Sequence, residues 1–89
     1  MAWTIELTDE AVKVLKKLGH PEAKRIRDFL RKRIEPLENP RMLGNSLKGS
    51  KMGEFWRYRV GDYRIVCEIQ DNRLVVLVIA IGHRKKIYR

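Results

Sequence analysis

The chain predicts an α+β domain with the order βααβββ, two N-terminal helices packed on one face of a small antiparallel sheet. Two observations carry this reading. Between residues 9 and 37 apolar residues recur at helical spacing in two stretches. Beyond residue 54 three strand-like segments are separated by Gly61-Asp62 and Asp71-Asn72, pairs that tolerate positive φ and suit tight hairpins.

The elements follow in chain order. Trp3 to Leu7 (WTIEL) is a short strand by residue type. Thr8 is placed as a helix N-cap, with Asp9 and Glu10 in a first turn that favours negative charge. Ala11, Val12, Leu15 and Leu18 form the apolar stripe of the first helix, and Gly19 ends it. Pro21 suits the opening turn of a second helix. Its apolar positions are Ala23, Ile26, Phe29, Leu30, Ile34 and Leu37, and Lys24, Arg25, Arg27, Arg31, Lys32 and Arg33 form a solvated basic face. Pro36 and Asn39-Pro40 stop it, and a loop of about a dozen residues reaches LKGSKMG.

The last three segments are expected as strands over 54–60, 63–70 and 73–81. In the middle one Tyr63, Ile65, Cys67 and Ile69 face the helices. The last is apolar on both faces and belongs inside the sheet. The stretch after Gly82, HRKKIYR, is a short tail.

The 89 residues are read as one domain, 1–89, with a single core. The longest apolar run, Leu74 to Ile81, is too short to span a membrane and fits a buried strand. MAWTIELTDE is not built like a signal peptide. Cys67 is the only cysteine, so no internal disulfide is possible, and a cytoplasmic location is expected. No Cys/His set has metal-ligand spacing, and LKGSKMG falls short of a phosphate-binding loop, so neither metal nor cofactor is expected.

The charge is uneven. Net charge is +9, but residues 1–40 carry nine Lys/Arg against seven Asp/Glu, whereas residues 41–89 carry eleven against four. Such an excess points to a patch for an anionic partner. The segment WRYRVGDYR at 56–64 gives it a geometry. Strand alternation puts Arg57 and Arg59 on one face, and Trp56, Tyr58 and Val60 on the other. With a two-residue loop at Gly61-Asp62, Arg59 sits opposite Arg64, a pairing of like charges that destabilises the sheet by itself. With a second two-residue loop at Asp71-Asn72, Arg64 pairs with Ile79, and the end of the last strand comes alongside. If the tail makes a helical turn, Arg84 and Tyr88 share a face. Arg57, Arg59, Arg64, Arg84 and Tyr88 then converge, with His83 near them and Lys48 and Lys51 on another side. Glu54 and Asp62 are the acids near enough to consider as general bases.

Guanidinium forks match phosphate oxygens, and a tyrosine ring can stack on a base. A basic concavity with aromatics, sized for a few nucleotides, fits single-stranded RNA better than duplex DNA.

The order βααβββ, LKG at 47–49, YRVGDYRIVCEI at 58–69 and VIAIGHRKKIYR at 78–89 together resemble the RelE toxins of the RelE/ParE superfamily. The resemblance implies the toxin of a type II toxin–antitoxin pair. Such toxins enter the ribosomal A site on the 30S subunit and cleave bound mRNA without a metal, leaving a 2′,3′-cyclic phosphate and a 5′-hydroxyl. By position it implies catalytic roles for Arg59, Arg64, Arg84 and Tyr88, with His83 as a candidate acid or base. RNA contacts would come from Arg57, Lys48, Lys51, Lys85 and Lys86. The chain departs from the best-known member in having arginines where that protein has lysines in the strand pair. Arginine does not deprotonate, so the base is sought in His83, Tyr88 or the ribosome. The resemblance also implies an acidic RelB-like antitoxin, through which the complex binds operator DNA. Two other readings are a ParE-like inhibitor of DNA gyrase without RNase activity and an RNA-binding module that does not cut.

Overall fold

The computed structural model describes residues 3–47 and 54–83. It contains β1 (Thr4–Leu7), α1 (Asp9–Leu18), α2 (His20–Phe29), a 3₁₀ turn at Pro40–Met42, β2 (Asn45–Ser46), β3 (Phe55–Val60), β4 (Tyr63–Gln70) and β5 (Val75–His83). The strands form one sheet in the order β1-β5-β4-β3-β2. Among the described residues no helix is long and apolar enough to cross a membrane.

As its two-sided apolar sequence requires, β5 is interior, with β1 on one side and β4 on the other. The sheet is mixed rather than wholly antiparallel, because β1 runs parallel to β5, pairing Thr4 with Val75 and Leu7 with Val78. Alternation in the sequence fixes which way side chains point but not which way neighbouring strands run.

Thr8 leaves β1 and caps α1, its Oγ1 accepting the Ala11 N–H at 3.2 Å. Ala11 and Leu15 are buried, with Val14 and Leu18 packed against the same core. Val12, placed in the apolar stripe, is instead 36% exposed, so the stripe runs through Val14. α2 starts at His20-Pro21 and buries Ala23 and Ile26. Past Phe29 it widens into a π-helical turn, Leu30–Ile34, in which the Glu35 N–H reaches the Leu30 carbonyl at 2.9 Å. Pro36 follows at once and has no N–H to continue an α-helical ladder.

The first hairpin has the expected register, with Val60 opposite Tyr63 and Arg59 opposite Arg64. The second does not. Its turn is Asp71–Leu74, with Leu74 at φ 55°, and the first pair is Gln70 with Val75. Ladder contacts hold Leu74 in the turn: its N–H donates to the Asp71 carbonyl at 3.3 Å, and its own carbonyl accepts the Thr4 N–H at 2.9 Å. A bulge then adds one residue to β5. Cys67 faces Val78 but Val66 faces Ala80, which leaves Ile79 extra. Arg64 therefore sits opposite Gly82, not Ile79.

The loop from 39 to 47, expected to be irregular, contains β2, which pairs Asn45 with Arg57 and Ser46 with Trp56. Three aromatic tips anchor backbone carbonyls around it. Trp3 Nε1 donates to Glu38 O at 3.0 Å, Tyr58 Oη to Pro40 O at 2.6 Å, and Trp56 Nε1 to Leu43 O at 2.6 Å. Arg41 lies 5.9 Å over the Trp56 ring and makes a bidentate ion pair with Asp71, at 2.9 and 3.0 Å. Gly44 is squeezed beneath these groups at φ 79°. A Cβ there would overlap the Arg57 carbonyl and stand 2.8 Å from both Trp56 Nε1 and Tyr58 Cδ1.

Two stability outcomes follow. Gly19 also has positive φ (88°) but open space around it, so Gly19→Ala costs only the backbone strain, about 1–3 kcal/mol. Gly44→Ala adds displacement of the two aromatic rings and loses more than Gly19→Ala in urea unfolding. Equal losses would show that the loop yields freely. The second outcome concerns pH. Arg41 holds the Asp71 carboxyl below the usual carboxylate range. Such a group gives its full stabilisation above its unfolded pKa, about 3.9, and loses it as pH falls through the folded value. Asp71 is well exposed, so the effect stays under about 1 kcal/mol. Asp71→Asn lowers stability at neutral pH, and its difference from the parent shrinks as pH falls below about 3.9, measured by urea midpoints across that range.

Candidate nucleic-acid interface

Strand pairing puts three arginines at one end of the β3–β4 hairpin. Arg59 and Arg64 are direct cross-strand partners, and Arg57 lies two residues along β3 on the same face. They line a cleft of about 360 Å³. Tyr58 also lines it, as do Leu43, Gly44 and Asn45 from the loop, and Phe29 and Arg33 from the end of α2 and its π turn. None of these residues is acidic.

The three guanidinium groups differ in setting. Arg64 is the one charged residue buried among the described residues, at 6% exposure, and its Nη1 donates to the Tyr63 carbonyl at 3.3 Å. Arg59 is exposed and Arg57 half-buried. Tyr58 is fully buried, and its phenol is pushed up from its ordinary pKa, chiefly by desolvation. With its hydroxyl committed to Pro40, it serves as a wall. Its ring is 6.0 Å from Phe29, which extends that apolar wall to the helix. Cationic groups gathered round a partly apolar hollow repel one another and favour an anion.

His83 is not brought to this cleft. Facing residues of a strand pair share a side of the sheet, and His83 is opposite Tyr63, with the rings edge-on at 5.6 Å. Tyr63 shares the face of Ile65 and Cys67, opposite to that of Arg64. The expected register would have put His83 on the arginine side. The bulge and the longer turn together shift the pairing by three residues, an odd number, and so reverse it. Glu54 and Asp62 do not line the cleft. Cys67 is in the core, its thiol pushed up by burial, as a structural cysteine should be. Lys48, Lys51, Arg84, Lys85, Lys86 and Tyr88 lie outside the described residues.

The residues that sequence reasoning missed are Phe29 and Arg33. Both sit on α2 or its π turn, and Arg33 was placed on a solvated face. Their spacing of four is a helical-face signal, but nothing in the sequence says that this face borders β3. Among the described residues no group of His, Cys, Asp and Glu is arranged to hold a metal ion.

The profile of a family described as "ParE toxin of type II toxin-antitoxin system, parDE" matches residues 5–88. The mRNA interferase toxin RelE of Escherichia coli K12 is 33% identical over 87 residues, 97% of this chain and 87% of that protein. A free form of E. coli RelE carrying two arginine-to-alanine substitutions superposes with a TM-score of 0.77 at 28% identity, covering 99% of this chain and 90% of that one. The RelE–RelB complex of Pyrococcus horikoshii shares the fold, with a TM-score of 0.75 at 24% identity over 97% and 99% of the two chains. The chain therefore belongs to the RelE/ParE superfamily of type II toxin–antitoxin toxins.

Proposed function

We propose that this protein is a ribosome-dependent mRNA endoribonuclease, the toxin of a type II toxin–antitoxin system, acting in the cytoplasm where translated message is found. The observation that carries the reading is the convergence of Arg57, Arg59 and Arg64 on one cleft in a chain 33% identical to an mRNA interferase. In the reaction the ribose 2′-oxygen attacks the adjacent phosphorus and gives up its proton. The bond from phosphorus to the 5′-oxygen then breaks, and that oxygen is protonated. The products are a 2′,3′-cyclic phosphate and a 5′-hydroxyl.

Arg64 and Arg84 stabilise the extra charge of the pentacoordinate phosphate. Burial favours Arg64 for this role, since a fixed cation acts more strongly when water is kept away. Arg59 neutralises the reacting phosphate from the cross-strand position, and Arg57 grips a flanking one. Lys48, Lys51, Lys85 and Lys86 add contacts to the message, and Tyr88 stacks on or orients a nucleotide beside the cut. No arginine serves as the base. The placement of His83 against Tyr63 leaves Tyr88 and the ribosome as the better sources of proton transfer. The partner is an acidic RelB-like antitoxin, whose charge answers the +9 of this chain and through which the complex binds operator DNA.

The other reading, gyrase inhibition without RNA cleavage, is not favoured: the matching family carries the ParE description, but the relative at 33% identity is an mRNA interferase. Primer extension on message translated in vitro separates the two. Ends mapped to codons, seen only with ribosomes, support the nuclease. DNA damage with intact message supports the inhibitor.

The variants have ordered outcomes. Arg59→Ala, Arg64→Ala and Arg84→Ala each lower the cleavage rate by about 10²–10³-fold, the usual loss when one stabiliser of transition-state charge is removed. Arg64→Lys, with thermal melting, separates charge loss from unfolding at that buried site. His83→Asn stays within about tenfold of the parent, whereas loss of a general acid or base costs about 10²–10⁴-fold. A greater loss in His83→Asn, with its melting temperature unchanged, would return His83 to the proton-transfer step.

A further inference from the structure

The cleft extends around the outer edge of the sheet. β2 covers β3 only at Trp56 and Arg57. The Phe55 carbonyl points to the β2 side, where it accepts the Leu47 N–H at 3.1 Å. Backbone direction alternates along a strand, so the N–H and C=O of Arg59 point to the same side. There β2 has already ended, and the cleft takes its place. Phe29 and Arg33, from the end of α2 and its π turn, line the same cleft.

The π turn bears on what Arg33 can reach. Its hydrogen bond closes five residues back rather than four, so each residue advances by a smaller angle than in an α-helix. This changes the direction in which Arg33 leaves the helix, and Arg33 does line the cleft. Arg31 and Lys32, in the same turn, do not. No acidic residue pairs with Arg33 or Arg59 among the described residues. The space is at the small end of ligand-sized clefts, roughly 300–1,000 Å³.

We propose that this edge cleft is a nucleotide subsite in which Arg33 grips the phosphate of a message nucleotide flanking the cut, with Arg59 opposite and Phe29 against the sugar or base. The inference rests on the endoribonuclease reading and adds to it a helix-borne phosphate contact beyond the strand arginines. Arg33 binds substrate; it stabilises no reacting atom. Its loss weakens capture and leaves the chemical step intact.

The test compares wild type, Arg33→Ala, Arg33→Lys and Arg31→Ala in single-turnover cleavage of ribosome-bound message, over a range of toxin and salt concentrations. In Arg33→Ala the half-saturating toxin concentration rises about tenfold, the maximal rate changes less than about twofold, and the salt slope of binding falls by about one. Arg33→Lys recovers most of the affinity, and Arg31→Ala matches wild type. Unchanged affinity in Arg33→Ala, or an equal loss in Arg31→Ala, overturns the subsite. Binding of an all-2′-deoxy trinucleotide to the full chain, followed by NMR shifts at Phe29 and Arg59, reads the subsite without cleavage. Shifts that Arg33→Ala abolishes and Arg31→Ala keeps support it even if the wild type fails to cut message, a failure that would fall on the nuclease reading alone. An absence of shifts at Phe29 overturns it.

Discussion

The extra residue at Ile79 governs the arrangement of this molecule more than any single contact. β5 must satisfy β1 on one edge and β4 on the other. Before the bulge, its even-numbered residues Val76 and Val78 enter the core; after it, the odd-numbered Ile81 does. Thr8 fastens the region from the β1 side, donating its N–H to Val78 O at 3.0 Å and its hydroxyl to Ile79 O at 3.4 Å while also capping α1. One threonine thus joins the start of the helical layer to the point where the central strand changes phase. What stands across from Arg64, and which way His83 faces, both depend on that point.

Much of this was legible in the sequence. The capping threonine, the helix-ending glycine, the interior last strand and the Arg59–Arg64 pairing all rest on local rules that tertiary contacts did not override. The β5 register was not legible. A bulge has no sure signature in a run as uniformly apolar as VVLVIAI, because either phase buries apolar side chains. The turn at Asp71–Leu74 was missed for a related reason. Asp-Asn is a good two-residue loop, and only the demand of β1 on the Leu74 carbonyl explains the longer one. The candidate site was legible where it depended on one hairpin, and hidden where it depended on two elements meeting. Arg33 and Phe29 are ordinary helix residues until α2 is packed beside β3.

The loop between α2 and β3 shows how a small domain builds a stiff wall from little regular structure. Trp3, Tyr58 and Trp56 each point a polar tip at a loop carbonyl, so the rings pack while the backbone acceptors are satisfied. Arg41 then bridges this loop to the far turn, with its planar group over Trp56 and its fork on Asp71. Fixed walls matter for a cleft lined by cations. Arginines that repel one another would spread apart on a soft support, and an anion would have to regather them.

The position of β5 also bears on how the chain comes to be folded during its own synthesis. The strand that joins β1 to β4 is the last strand described here, while its parallel partner β1 is the first. A nascent chain whose earlier strands have emerged can form the β3–β4 hairpin, but β1 has no neighbour until β5 is free of the tunnel. Pairings so distant in sequence form late, since the loop they close is long. Until β5 joins it, β1 keeps an open parallel edge, so the helical layer that follows Thr8 is made before the strand that will anchor its start.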